Sequence, residues 1–289
     1  MPSPITTTTT RRVTFENGIA GTATDVADAA RPPVLYVHGM FGGAWMFDAF
    51  QRWMAACGWP GVAIDLRGRD GSRPVDDIGR VSMRDHVDDA LGVARAMGRP
   101  IVVGHSMGGL IAQKLAEADA VRAAVLLCAA PPRGISVASA SLLARQLKHA
   151  PALLLSRPLV PTRGDAEALM FNRVPPAEHD ALFTRLVPES GRAGLELSLG
   201  LIAVDARRVR CPVLSVAASD DRFLAPRIGR ALAARYHAEL REYAEHGHFI
   251  IGEPGWERVA EEVAGWLECA LSGAGGQGLE AGGISGTAG

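Results

Sequence analysis

The residue that most directly suggests chemistry is Ser106, which stands in the pentapeptide GHSMG. The apolar run PIVV precedes this pentapeptide and GLIAQKLAEA follows it, so the serine is expected at a tight turn from a strand into a helix. Gly104 and Gly108 leave room for that turn, because side chains there would collide as the strand folds back into the helix. A serine presented in this way can act as a nucleophile. The alternative is a glycine-rich turn with an inert serine.

A serine hydroxyl is a weak nucleophile at neutral pH, so the hypothesis requires further groups from elsewhere in the chain. It needs a base within hydrogen-bonding reach and a third group that orients the base. It also needs N–H donors for the negative charge that develops on the substrate. The elements of the fold must bring these groups together.

Short β-branched runs alternate with helix-like stretches over most of the chain, which is typical of a parallel sheet with crossover helices. Continuous apolar runs such as VLYVH and IVVG favour strands that are buried on both faces. The predicted fold class is therefore α/β, with a mostly parallel, doubly wound sheet flanked by helices. Strands are predicted at 34–38, 62–66, 101–104, 124–128, 212–217 and 238–243, and helices near 46–57, 82–97, 107–117, 226–236 and 254–269.

One interval and the two ends of the chain break this alternation. Residues 131–208 contain helix-length apolar clusters separated by prolines and no recognisable strand. They are expected to form a helical cap inserted into a core made of residues 14–130 and 209–270. Residues 1–11 and 271–289 are expected to be disordered tails, since the glycine-rich C-terminal one has too little apolar content to offset its ordering entropy.

Composition argues against several classes of function. A chain of 289 residues with a net charge of -1 can bury a large core and offers no basic surface for nucleic acid. Its four cysteines lie far apart without a CxxC pattern, so neither a metal site nor a disulfide framework is expected. No signal peptide or membrane-spanning run is recognisable, and a cytoplasmic protein without a cofactor is predicted.

Five motifs together resemble the α/β-hydrolase superfamily. They are VLYVHGMFGG at 34–43, AIDLRG at 63–68, VVGHSMGG at 102–109, PVLSVAASDDRF at 212–223 and HGHF at 246–249. They follow the family's order across about 14–270. The chain is most similar to family members that are serine esterases, lipases, lysophospholipases or carbon–carbon bond hydrolases. The resemblance implies that Ser106 is the nucleophile.

The resemblance also implies a base and an acid, in the chain order serine, acid, histidine. His248 matches the family's Gly-His loop beyond the last predicted strand, and His246 is the second candidate. The acid is expected just after the strand PVLSV. Because Ala218 stands where the family usually has glycine, the spacing favours Asp221 but leaves Asp220 as an alternative.

Two backbone N–H groups are the expected donors for the oxyanion. One belongs to Met107, directly after the serine, and the resemblance assigns the other to Met40, with Phe41 as the alternative. Both alternatives lie in the loop HGMFGG, which glycines keep thin enough for its backbone to approach a ligand. This loop lacks the G-x-G-x-x-G pattern, which argues against a nucleotide site.

The leading hypothesis is a serine hydrolase that cleaves a small-molecule carboxylic ester through an acyl-enzyme. The leucine-rich insertion at 131–208 favours an apolar acyl or alkyl group. Two alternatives remain: carbon–carbon bond hydrolysis, perhydrolysis or acyl transfer on the same fold, and a noncatalytic ligand-binding protein. The sequence leaves the acyl chain length and the oligomeric state open.

Overall fold

The computed structural model describes residues 7–137 and 147–274, which are called the described residues below. Their framework is a sheet in the strand order β1-β2-β4-β3-β5-β6-β9-β10, and a separate two-stranded ladder pairs β7 with β8. The bounds are β1 Thr8–Thr14, β2 Ala20–Val26, β3 Val34–Val37, β4 Gly61–Asp65, β5 Ile101–His105, β6 Ala123–Leu127, β7 Pro158–Leu159, β8 Glu189–Ser190, β9 Val213–Ala218 and β10 Glu239–Tyr243.

The sheet is mostly parallel. The pairs β1/β2 and β2/β4 are antiparallel, whereas β4/β3, β3/β5, β5/β6, β6/β9 and β9/β10 are parallel. The predicted α/β class is therefore confirmed, and all six strands predicted from apolar runs lie in this sheet within one or two residues of their expected bounds.

Helices cover both faces of the sheet, so the sheet is doubly wound. Side chains alternate along β3, where Tyr36 packs with Phe50 of α1 and Leu35 packs in a second apolar cluster with Leu110 of α3. The helix bounds are α1 Asp48–Ala56, α2 Met83–Ala96, α3 Met107–Glu117, α4 Ala150–Leu154, α5 Arg163–Asp165, α6 His179–Phe183, α7 Gly191–Ser198, α8 Pro226–Tyr236 and α9 Trp256–Ala274.

Helix starts follow ordinary capping chemistry. The Ser82 side chain accepts a hydrogen bond from the backbone N–H of Asp85, whose carboxylate accepts from the N–H of Ser82, so α2 begins with a capping box. Pro226 occupies the first turn of α8, where its missing N–H costs no intrahelical bond. These signals account for the agreement between the predicted and observed starts of both helices.

Residues 8–11, predicted to lie in a disordered tail, form part of β1, and this prediction was wrong. The strand runs along the sheet edge with mostly exposed threonine and arginine side chains, so it carries no apolar pattern. Its order comes from backbone pairing with β2, for which β-branched threonine is well suited. At the other end, α9 extends to Ala274 because Leu271 still packs against the core. Residues 1–6 and 275–289 lie outside the described residues.

The insertion, residues 131–208, is not free of strands, so that prediction also needs correction. Strands β7 and β8 pair within it, with Leu159 opposite Glu189. Each has only two residues, which is too short for a periodic signal. Short helices make up much of the remainder, and residues 138–146 of the insertion lie outside the described residues.

Candidate active site

The sheet topology brings the predicted site residues to one edge. Strands β3, β5, β9 and β10 are parallel, so their carboxyl ends and the loops that follow them meet at the same side of the molecule. Ser106 directly follows β5, and Asp221 follows β9 by three residues. His248 lies in the loop between β10 and α9.

Ser106 occupies a strained turn. Its φ is 55° and its ψ is −118°, a backbone conformation that is rare for residues with a side chain. A Cβ at Gly104 would lie 2.2 Å from the carbonyl oxygen of Gly108, and one at Gly108 would lie 2.0 Å from that of Val37. The two glycines are therefore required for the close approach of α3 to β3 and β5. The Ser106 carbonyl accepts hydrogen bonds from the N–H groups of Gly109 and Ala130, each at 2.9 Å, which fixes the turn.

Ser106, His248 and Asp221 form one chain of hydrogen bonds. The Ser106 hydroxyl lies 3.0 Å from Nε2 of His248, and Nδ1–H of His248 donates to Oδ2 of Asp221 at 2.8 Å. All three residues are buried. The other carboxylate oxygen of Asp221 accepts from the backbone N–H groups of Phe223 and Leu224 at 2.8 and 2.7 Å, so the carboxylate cannot rotate away from the imidazole without losing these bonds.

Asp220 and His246, the alternative acid and base, form hydrogen bonds to other residues and not to Ser106. The carboxylate of Asp220 pairs with Arg173, half exposed at the surface. Nδ1 of His246 lies 3.0 Å from Oε1 of Glu253, which also accepts from the N–H of Gly247 at 2.6 Å. His246 and Glu253 thus stabilise the loop that carries His248, a contact between residues seven apart that the sequence analysis missed.

His105 is a second contact that the sequence analysis missed. Its Nε2–H donates to the backbone carbonyl of His248 at 2.8 Å, so the residue before Ser106 holds the loop that presents the imidazole. Burial, together with the nearby His248, lowers the pKa of His105 to about 3. The ring is therefore neutral at physiological pH. No local sequence pattern indicates this contact, because the two residues are 143 positions apart.

The glycine loop, residues 39–43, is held against Ser106. A Cβ at Gly39 would lie 2.9 Å from Cβ of Ser106, so only glycine fits there without displacement. Nδ1–H of His38 donates to the Gly39 carbonyl at 2.7 Å, and its Nε2 accepts from the N–H of Leu66 at 3.3 Å. Burial lowers the pKa of His38 to about 3, which keeps the ring neutral. In a trans peptide the N–H points opposite to the carbonyl, so the bond to the Gly39 carbonyl is one of the contacts that set the direction of the Met40 N–H.

An apolar pocket opens beside Ser106, with a cavity volume of about 120 Å³. The core contributes Met40, Met107 and Phe223 to its wall, and the insertion contributes leucines at 153, 159, 169 and 197. On the side of His248 there is a much smaller space of about 10 Å³. The Ser106 hydroxyl therefore lies between a large apolar cavity and a much smaller one. Such a hydroxyl, bonded to a histidine that a carboxylate orients, can be deprotonated as it attacks a carbonyl carbon.

Comparison with known proteins defines the family. The sequence profile described as "Alpha/beta hydrolase family" matches residues 34–262, which is most of the chain and includes all five motifs. The chain belongs to the alpha/beta hydrolase family. The resemblance inferred from those motifs is thereby confirmed.

Solved structures similar to this chain include a lipase and two esterases. The monoacylglycerol lipase of Paleococcus ferrophilus is 19% identical with a TM-score of 0.65, and the match covers 91% of this chain and 99% of that one. The esterase RhEst1 from Rhodococcus sp. ECU1013 is 20% identical with a TM-score of 0.65, covering 90% and 99%. A thermophilic esterase from Thermogutta terrifontis is 21% identical, also with a TM-score of 0.65, covering 91% and 99%. At these identities the likeness establishes the fold alone.

A closer sequence match is more limited in extent. Esterase PIR7B of Oryza sativa subsp. japonica is 32% identical over 114 residues, which are 37% of this chain and 42% of that relative. The match therefore covers less than half of either protein.

The described residues lack two other features that would bear on function. No helix in this part of the chain has the length and apolar character needed to cross a membrane. Residues 7–137 and 147–274 also contain no cluster of three or more histidine, cysteine, aspartate or glutamate side chains that could hold a metal ion.

Proposed function

We propose that this alpha/beta hydrolase is a serine esterase that cleaves small-molecule carboxylic esters through an acyl-enzyme intermediate. The observation that carries the proposal is the hydrogen-bonded chain Ser106–His248–Asp221, with distances of 3.0 and 2.8 Å. Its order along the sequence, serine then acid then histidine, is the order this fold uses. The esterases among similar proteins support the same reaction class.

In the first half of the proposed reaction, Oγ of Ser106 attacks the acyl carbonyl carbon while Nε2 of His248 takes the hydroxyl proton. Asp221 stabilises the imidazolium and keeps Nδ1–H directed toward itself. The carbonyl π electrons move to oxygen, and the backbone N–H groups of Met40 and Met107 donate hydrogen bonds to that oxyanion. The tetrahedral intermediate then collapses, the bond to the alcohol oxygen breaks, and His248 returns the proton to that oxygen.

In the second half, water takes the place of the alcohol. His248 removes a proton from the water as its oxygen attacks the acyl carbon, and the same oxyanion donors are used again. Collapse breaks the bond to Oγ of Ser106, which regains its proton from His248. The acid leaves, and the enzyme returns to its starting state without a cofactor.

The apolar pocket is assigned to the acyl group. Its wall is lined by Met107 and by leucines of the insertion, and it is much larger than the space beside His248, about 120 against about 10 Å³. The alcohol leaves on the side of His248, since that residue must protonate it. We therefore propose that residues 131–208 act as a cap over the acyl group and that esters of small alcohols are favoured.

The test is a pre-steady-state assay with p-nitrophenyl esters. The expected result is a burst of p-nitrophenol, followed by a slower steady rate, and a fluorophosphonate adduct located on Ser106 by mass spectrometry. Ser106→Ala is expected to lose both signals. Ser215→Ala removes another buried serine hydroxyl, which donates to the carbonyl of Gly229 in α8 at 2.9 Å, and is expected to keep both.

Other outcomes would replace the proposal. Turnover of a carbon–carbon substrate or of a peroxide or alcohol acceptor, with no net ester hydrolysis, would favour the corresponding chemistry on the same site. Ligand binding that is unchanged in Ser106→Ala, without any covalent adduct, would indicate a noncatalytic binding protein.

A further inference from the structure

The glycine loop is tied to the insertion at two consecutive carbonyl groups. The N–H of Val187 donates to the carbonyl of Phe41 at 2.9 Å. Nε–H of Arg69 donates to the next carbonyl, that of Gly42, at 3.1 Å, and the same guanidinium forms an ion pair with Glu189 through Nη2. The loop that holds the proposed oxyanion donor Met40 is thus in contact with residues 187–189 both directly and through one arginine.

Arg69 is enclosed on every side. Its side chain is 2% exposed and that of Glu189 is fully buried. A third nitrogen, Nη1, donates to the carbonyl of Arg67 at 3.0 Å, so all three guanidinium nitrogens have partners in three different segments. A lysine could not make these contacts, because its single ammonium cannot reach three directions from one stem.

Glu189 is equally well held. Its Oε1 accepts from the N–H of Ser190 at 2.8 Å and lies 3.6 Å from Nε2 of the buried His86 on α2. Burial on its own would raise the pKa of Glu189, but Arg69 and His86 hold that pKa well below its usual range. The carboxylate is therefore charged whenever Arg69 faces it.

A buried ion pair of this kind is a weak contributor to stability. Removing two charges from water costs about as much as their attraction returns, and well-packed apolar residues often stabilise a fold better. Stability alone therefore does not explain this ion pair. Its arginine also donates to one carbonyl of the glycine loop, that of Gly42.

We propose that Arg69 is a positioning residue for the esterase reaction: anchored by Glu189 of the insertion, it holds the glycine loop so that the Met40 N–H stays directed at the oxyanion. This inference rests on the proposed function. It adds that the insertion, besides covering the acyl group, sets the alignment of an oxyanion donor. The contact acts on the transition state rather than on the bound ester, because the oxyanion develops only as the tetrahedral intermediate forms.

The test compares two variants with wild-type enzyme. Arg69→Lys keeps a positive charge for Glu189 but loses the Nε–H bond to Gly42. Arg69→Met/Glu189→Gln removes both buried charges together, so that neither is left uncompensated, and keeps an acceptor for the N–H of Ser190. If one of the variants does not fold, the other still provides the comparison.

The expected result for the folded variants is a 10- to 100-fold lower kcat with KM within about twofold of wild type, because misaligned donors weaken only the transition state. Binding of a trifluoromethyl ketone, which forms a tetrahedral oxyanion with the serine, should weaken by a similar factor. A structural role alone would lower the melting temperature and leave both of these quantities unchanged. Wild-type kcat in either folded variant would overturn the proposal.

Arg67→Met/Asp89→Asn is the matched control. The Arg67 side chain is also largely buried and donates to Asp89 at 2.6 and 2.7 Å and to Asp85 at 2.9 Å, both on α2. The variant keeps the backbone carbonyl of residue 67, which accepts from Arg69. It is expected to lose stability and keep kcat. If wild-type enzyme shows neither ester turnover nor labelling of Ser106, the proposed function fails. If wild-type is active and the Arg69 variants match it, only the positioning role fails.

Discussion

At the scale of single residues, the buried histidines around Ser106 fall into two groups. His248 bonds two side chains and must change its protonation state in the proposed reaction. His38 and His105 donate to backbone carbonyls instead, and burial lowers the pKa of both to about 3. His38 and His105 therefore remain neutral at physiological pH, and they hold the loops without taking up the proton that His248 transfers.

Asp221 and Asp220 allow a direct comparison of adjacent carboxylates. Asp221→Asn is expected to lower kcat by about 10³- to 10⁴-fold, because an amide cannot stabilise the imidazolium or hold His248 in the required tautomer. Asp220→Asn removes only a half-exposed pair with Arg173 and is expected to change kcat by less than twofold. Steady-state rates with one p-nitrophenyl ester measure both. Similar losses in the two variants would contradict the assignment of the acid.

His105 gives stability a defined pH dependence. Its pKa is about 3 in the folded protein against 6.5 for an ordinary histidine, so between these values the unfolded chain binds more protons. Stability should therefore fall as the pH drops below about 6.5, by up to about 1.4 kcal/mol per pH unit for this residue. His105→Gln keeps a donor for the His248 carbonyl and should show a shallower fall.

Urea unfolding at pH 7, 6 and 5 measures this slope. His237→Asn, which removes an exposed imidazole at a position with φ of 50°, is the matched control, since asparagine tolerates that backbone conformation. Equal slopes for wild type and His105→Gln would contradict the prediction.

At the scale of elements, the edge strand β1 supports the glycine loop from outside. Arg12 of β1 donates to Oδ2 of Asp65 at 3.0 Å, while Oδ1 of Asp65 accepts from the N–H of Ala44 at 2.7 Å. Ala44 begins the helical turn that directly follows the glycine loop. Strand β1 thus supports the glycine loop that follows β3, although β2 and β4 lie between the two strands.

Arg12→Ala is expected to destabilise the protein by about 1 kcal/mol, because it leaves the largely buried Asp65 without its cation while half of the arginine itself is solvent-exposed. Arg11→Ala changes the neighbouring arginine of β1, which forms an exposed pair with Asp25 of β2, and should cost less stability than Arg12→Ala. Urea unfolding of the two variants distinguishes them. Equal losses would show that the contact of Arg12 with Asp65 contributes no more to the free energy of unfolding than the exposed pair does.

How far the sequence predicts these elements depends on how local their signals are. The buried parallel strands and α3 were predictable, because apolar runs and the glycines around Ser106 are local features. Strand β1 was missed because an edge strand buries few side chains, and β7 and β8 because two residues form no pattern. The contact between Arg69 and Glu189 joins positions 120 apart, so no local sequence pattern predicts it.

At the scale of the whole molecule, the pocket lies where the insertion meets the sheet core, so its size depends on both. Each methylene of an acyl chain that enters it should contribute about 0.8 kcal/mol, which is about fourfold in kcat/KM, until the cavity is filled. Leu169 of the insertion lines this cavity. Leu169→Ala should therefore shift the preferred p-nitrophenyl ester toward a longer acyl chain.

Leu115→Ala is the control for this shift. Leu115 is buried in α3 and is not one of the residues that line the pocket. Both variants should lose about 2–5 kcal/mol of stability, and only Leu169→Ala should change the dependence of kcat/KM on chain length. An unchanged preference in Leu169→Ala would place the acyl group elsewhere.

The bond between Ser106 and His248 joins residues 142 positions apart, and this separation has a consequence during translation. A ribosome adding about 5–20 residues per second takes roughly 7–28 s to advance from the codon of the serine to that of the histidine. Through that interval the nascent polypeptide holds a hydroxyl without its base. Protein fragments that terminate before position 248 therefore lack the base and have no esterase activity of the proposed kind.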